Sequence, residues 1–156
     1  MSFATAPIFD QLELSEINRT IILDIDGTLV PDGEEDCSEK TRAKVMNLMK
    51  NNNVVLFSNS KNTERGKKMA NALGISFLSA DKNKPNPAVI MATGRRVGDC
   101  TVIGDKFLTD YLLAVFSGAR FVPVRRIYSG RESFKIKIIY LVDDFFNFLS
   151  RLVGIG

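Results

Sequence analysis

Thr20-Ile21-Ile22-Leu23-Asp24-Ile25-Asp26-Gly27-Thr28-Leu29-Val30 opens with a β-branched apolar run and breaks at two aspartates and a glycine. Such a run bounded by an Asp-Gly turn predicts a buried strand that stops where the acids begin. Carboxylates leaving a buried strand are costly to bury unpaired. A hard divalent cation removes that cost, because Mg²⁺ prefers carboxylate and carbonyl oxygens. The plainer alternative is an Asp-Gly turn whose acids face water.

Outward from this stretch, short apolar runs alternate with amphipathic segments, which predicts βαβ units around a parallel sheet. Strands are expected at 20–25, 54–57, 75–78, 101–103 and 120–124. Helices are expected from Ser38 to Lys50, from Asn62 or Thr63 to Leu73, over Pro87–Thr93 and Thr109–Phe116, and over Ile136–Val153. Ser38, Asn62 and Asn86 supply caps, and Gly74 and Gly118 supply left-handed stops. No repeat, low-complexity segment or linker interrupts the pattern, so residues 1–156 are expected to form one domain.

Three strands end in polar residues: Asp24-Ile25-Asp26, Ser58-Asn59 and Gly104-Asp105. In a doubly wound sheet the carboxyl ends of parallel strands share one edge, where ligands bind at the switch in strand order. These groups are therefore expected to converge. Lys84, in Asn83-Lys84-Pro85-Asn86-Pro87, adds a cation at the same edge, and Asp110 adds a further carboxylate after Asp105. Taken singly, Ser58 is an ordinary turn residue and Lys84 an ordinary surface lysine.

Asp-x-Asp-Gly-Thr-Leu-Val, then strand-Ser-Asn, then Lys-Pro, then Gly-Asp-x-x-x-Thr-Asp resembles the four motifs of the haloacid dehalogenase (HAD) superfamily, over about Thr20 to Val124. A receiver domain, the nearest decoy, would need an acid near Ser58. The resemblance implies a Rossmann-like α/β fold and roles residue by residue. Asp24 would be the nucleophile on phosphorus, and Asp26 the acid and then the base. Ser58 and Lys84 would stabilise the transferring phosphoryl charge. Mg²⁺ would be held by Asp24, Asp105 and the backbone carbonyl of Asp26. Asp110 would orient the lysine or the metal's waters. Thr28 and Asn59 would bind the substrate through backbone amides.

The intervals after Val30 and after Ser60 have no room for a cap domain, so the chain looks like a capless (subclass III) member. It is most similar to the small phosphatidylglycerophosphate phosphatases, through Asp-Gly-Thr-Leu-Val-Pro, Phe-Ser-Asn, Leu73-Gly74-Ile75-Ser76-Phe77 before Lys84-Pro85, and Ile103-Gly104-Asp105. It departs from them at Gly27, Ser60 and Lys106, where that family usually has Asn, Asn and Gln. The resemblance implies a lipid phosphomonoester as substrate. A soluble sugar phosphate or nucleotide would use the same residues. A non-catalytic phosphate-binding domain would not need Asp24, Asp26, Lys84, Asp105 and Asp110 together.

Composition limits the alternatives. There is no histidine, which excludes His triads and imidazole bases. Cys37 and Cys100 form no metal pattern and are expected as free thiols. No export signal opens the chain, so a cytoplasmic protein is expected, peripheral at most at the inner face of a membrane. A net charge of +3 and no aromatic-plus-basic motif give nucleic acid no support.

The basic residues do cluster: Arg125, Arg126, Arg131, Lys135 and Lys137 precede or open the last helix and could dock an anionic lipid surface. Asp143 and Asp144 in mid-helix argue against a membrane span. The broad apolar face of that helix predicts packing on the sheet, with Lys137, Asp144, Asn147 and Arg151 toward solvent.

Overall fold

The computed structural model describes residues 3–154. Five parallel strands form one sheet in the order β3-β2-β1-β4-β5, with β1 Thr20–Leu23, β2 Asn53–Leu56, β3 Ser76–Phe77, β4 Cys100–Gly104 and β5 Arg120–Pro123. Helices α1 (Glu39–Met49), α2 (Thr63–Leu73), α3 (Ala88–Met91), α4 (Leu112–Ser117) and α5 (Phe134–Leu152) surround it. The expected α/β class holds, with no separate cap evident.

Alternation along β1 divides the core. Ile21 and Leu23 pack with Val45 and Leu48 of α1 and Met69 and Leu73 of α2. Ile22, between them in sequence, packs on the other side with Val89, Ile90, Val102 and Leu113. Both faces of the sheet are thereby covered, as parallel strands require.

Two of the three expected caps act where the sequence put them; Asn86 Oδ1 accepts from the Ala88 amide, but the residue that precedes α3 is Pro87, which makes no side-chain cap. Ser38 Oγ accepts from the Thr41 amide at 3.0 Å, and Asn62 Oδ1 from the Arg65 amide at 3.1 Å. Gly74 and Gly118 end α2 and α4 at φ +71° and +76°. Cys37 and Cys100 are free thiols.

Two helices differ from expectation. The segment expected to be α-helical from Thr109 begins as a wide π turn over Phe107–Tyr111 before tightening into α4. That wide turn lets Asp110 point back beneath Gly104, where a Cβ on the glycine would lie 2.3 Å from its carboxyl carbon. The other difference is the orientation of α5: Lys137, Asp144 and Arg151 are exposed as expected, but the helix packs by a stripe beside them and not by its apolar face. Tyr140, Asp143 and Ser150 are buried, whereas Leu141, Phe145, Phe148 and Leu152 stand in solvent.

Candidate active site

Register brings the three polar strand ends together. Leu23 pairs with Leu56 on one side and Ile103 on the other. Asp24, Ser58 and Asp105 therefore emerge at one edge, beside the strand around which the connections reverse. Asp24, Asp26, Ser58, Asn59 and Lys84 line one cavity of about 600 Å³ there, together with Arg65, Lys106, Thr109 and Tyr140.

Asp24 lies between two ammonium groups. Its Oδ1 accepts from Lys84 Nζ at 2.5 Å and its Oδ2 from Lys106 Nζ at 3.2 Å. Burial pushes its carboxyl up, but the charges of Lys84 and Lys106 outweigh that and hold it below the usual aspartate value. The result is an anionic carboxylate at the cavity floor.

Lys84 is anchored twice. Its ammonium also donates to Asp110 Oδ1 at 2.6 Å. Its backbone is pinned by Asn59, whose Nδ2 donates to the Lys84 carbonyl at 2.8 Å and whose Oδ1 accepts the Lys84 amide at 2.9 Å. Burial would lower the lysine, but Asp110 and Asp24 together hold it above its ordinary value. Asp110, fully buried, is pushed by that burial up to about 7.

The second ammonium was not anticipated in the sequence. Lys106 Nζ donates to Asp24 Oδ2, to the backbone carbonyl of Asp26, and to Asp105 Oδ1 at 3.0 Å. Burial opposes the charge, yet Asp105, Asp24 and Asp110 keep the ammonium well above the usual lysine range. Its three acceptors are the oxygens expected to hold a metal. Oxygens converging on one cationic centre suit a hard divalent ion, so the residues fit Mg²⁺.

The carboxylates of Asp24, Asp105 and Asp110 also form a group whose oxygens lie within 4.8 Å of one another. In that group Asp110 takes the place of Asp26, and it is already engaged by Lys84 and by the Lys106 amide at 3.2 Å.

Asp26 faces the cavity with its carboxylate already engaged. Arg65 on α2 forks onto it at 2.7 and 3.2 Å, Ser58 Oγ donates at 3.3 Å, and the Gly33 amide donates at 3.2 Å. Arg65 also donates to the Glu34 carbonyl, which ties the loop after Val30 to α2. Arg65 gives no sequence signal: it lies in a helix among charges that face solvent, Glu64, Lys67 and Lys68.

Thr28 does not line the cavity. Its amide, expected to meet substrate, donates to the Ile25 carbonyl at 3.2 Å instead. Its hydroxyl donates to Asp105 Oδ1 at 3.0 Å and so positions that acid. Gly27 makes room for the arrangement: at φ +86°, any Cβ would sit 2.5 Å from Asp105 Oδ2.

Arg126 also departs from expectation, being buried and not part of a surface cluster. It donates to Asp105 Oδ2 at 2.6 Å, to Asp143 at 3.0 Å and to Asp144 at 3.1 Å, and its guanidinium stacks 4.1 Å from the Tyr140 ring. Asp143 in turn accepts the otherwise free amides of Phe107 and Leu108 at 2.9 and 2.8 Å. These contacts explain why α5 turns its polar face inward. At the cavity wall the buried hydroxyls of Thr109 and Tyr140 have no hydrogen-bond partner among the described residues.

A parallel sheet carrying this constellation of aspartates and lysines at its switch point defines the class, a phosphatase of the HAD type. The family described as mitochondrial PGP phosphatase matches residues 4–127, and the chain belongs to that family, which makes it a phosphoric monoester hydrolase. The match stops before α5 begins. An uncharacterized protein from Listeria monocytogenes serotype 4b is similar in fold at a TM-score of 0.57 and 15% identity, over 74% of this chain and 85% of that one. A search of curated proteins finds no match.

Proposed function

We propose that the chain, acting as one domain, is a Mg²⁺-dependent phosphomonoesterase that dephosphorylates phosphatidylglycerophosphate through an aspartyl-phosphate on Asp24. The observation that carries this reading is the buried Asp24 carboxylate, kept anionic between Lys84 and Lys106 on the floor of an open cavity. The family match over residues 4–127 supports the lipid substrate.

An Asp24 oxygen attacks phosphorus, the ester P–O bond breaks, and the departing alkoxide takes a proton from Asp26, which enters this step protonated, with one oxygen released by Arg65. Asp26, now a carboxylate, accepts a proton from water as the water oxygen attacks phosphorus. The bond to Asp24 then breaks and phosphate leaves. Lys84 holds the equatorial phosphoryl charge, pinned by Asn59 and Asp110. Ser58, at the cavity wall, donates to the phosphoryl oxygens. The unpaired hydroxyls of Thr109 and Tyr140 are spare donors for the phosphoryl group or its water.

Asp24, Asp105 and the Asp26 carbonyl would hold Mg²⁺, which supplies neutralisation of phosphoryl charge when bound. Lys106 occupies that seat here, so metal loading requires its ammonium to leave. Arg65 keeps Asp26 aimed into the cavity, and the Ser58 hydroxyl turns from Asp26 to the phosphoryl oxygens when the ester binds.

The deciding assay is phosphate release, with Mg²⁺ or with chelator, from phosphatidylglycerophosphate in mixed micelles beside a panel of soluble phosphomonoesters. Preference for the lipid, lost on chelation, is the expected result. Equal or better turnover of a sugar phosphate or nucleotide discards the lipid and keeps the mechanism. No release from any ester, with Mg²⁺ present, overturns the catalytic reading.

A further inference from the structure

The geometry points to α5 as a membrane-docking helix that lies in the plane of an anionic bilayer and presents its apolar face to the lipid. The inference deepens the lipid-phosphatase reading and rests on it for the role of docking.

The helix is inside out by the standard of a globular protein. Its inward stripe is Ile136, Tyr140, Asp143, Asn147 and Ser150, residues recurring at helical spacing and mostly polar. These satisfy the protein through Arg126 and through the amides of Phe107 and Leu108. The opposite arc carries Phe134, Ile138, Leu141, Phe145, Phe148 and Leu152, all exposed, with Phe134 at 79% and Leu141 at 70%. Apolar patches of this extent on a soluble surface mark a partner. A 19-residue helix is about 28 Å long, so the stripe is continuous over that distance.

Charge selects the occupant. Residues 125–153 contain six basic and three acidic side chains, so the chain's whole excess of +3 resides in this region. Arg125, Arg131, Lys135, Lys137 and Arg151 are exposed around the helix. Two copies meeting on this face would bring two basic rims together, whereas an anionic lipid surface is attracted by them. No described helix is long and apolar enough to cross a membrane. An amphipathic helix with Phe and Leu on one side and Lys and Arg at its margins instead settles at the headgroup boundary.

Position gives the docking a use. Lys135, Ile136, Ile139 and Tyr140 of the same helix line the cavity that contains Asp24. A bilayer under the apolar face therefore lies next to the mouth of the site, within reach of a phosphorylated headgroup.

The test is flotation of the full chain with phosphatidylcholine vesicles, with and without phosphatidylglycerol, beside the variant Leu141→Ser/Phe145→Ser/Phe148→Ser. Circular dichroism and soluble-ester turnover report whether the variant keeps its fold. The expected result is flotation with the anionic vesicles, weakened by salt. It should fall roughly tenfold or more in the variant while soluble turnover is unchanged. Failure of the native chain to float with anionic vesicles overturns the inference, as does equal flotation of the variant. A native dimer that the variant converts to monomer, without flotation, assigns the face to a second copy and overturns it too. Flotation without hydrolysis of any lipid phosphate keeps the docking and discards the substrate. Hydrolysis in micelles without flotation does the reverse.

Discussion

The floor of the cavity and the outer face of α5 both invert the usual placement of residues, and they do so for different reasons. At the floor Asp24, and beneath it Asp105 and Asp110, are buried acids, tolerated because Lys84, Lys106 and Arg126 satisfy them. On α5, phenylalanines and leucines are exposed, and nothing within the described residues covers them. Buried charge with internal partners is a finished network. Exposed apolar surface without one is half of an interface.

The largest effect expected of any single change is at the floor. Asp24→Asn should retain its far-UV circular dichroism and lose phosphate release by about a thousandfold or more. Undiminished turnover would remove the nucleophile from the scheme. The joint between the two regions comes next. Arg126→Ala leaves Asp105 and Asp143 buried without their guanidinium, so urea unfolding should show a loss of about 3–5 kcal/mol. A near-neutral result would mean that α5 does not depend on its polar face.

Lys106→Gln sharpens the comparison within the floor itself. Removing the resident ammonium should tighten Mg²⁺ binding on the order of tenfold, read by calorimetry without substrate, because the open seat no longer has to be vacated first. Unchanged affinity would show that Lys106 does not compete for those oxygens. The smallest effect belongs to the rim. Lys137→Ala should weaken binding to anionic vesicles by about 1 kcal/mol and leave soluble-ester turnover alone. Loss of turnover instead would move that lysine from the rim into the site.

The sheet was legible because its signals are local. Apolar runs such as Thr20–Leu23 and Cys100–Gly104 end at acids, and caps at Ser38 and Asn62 are set by residues within one turn. Asp24 and Asp105 were legible for the same reason, since each directly follows a strand.

The positioning residues were not legible from local signals. Arg65 reaches Asp26 across 39 positions, and Arg126 looks in sequence like one more member of a basic surface cluster. Lys106 follows Asp105, but which oxygens its four-carbon stem reaches depends on strand register. The direction of α5 was misjudged because periodicity separates a helix into two faces without saying which one turns inward. Its inward face is chosen by partners elsewhere in the chain, chiefly Arg126 and the amides that open the π turn.

The guanidinium of Arg126 has a consequence for how the molecule communicates. One rigid, planar group contacts Asp105 on one edge and Asp143 and Asp144 of α5 on the others. A tilt or shift of the helix therefore reaches an acid of the cation seat directly through one side chain, beside the second route from Asp143 to the amides that open the π turn. The surface helix and the chemical centre behave as two arms of one lever, with Arg126 as the pivot.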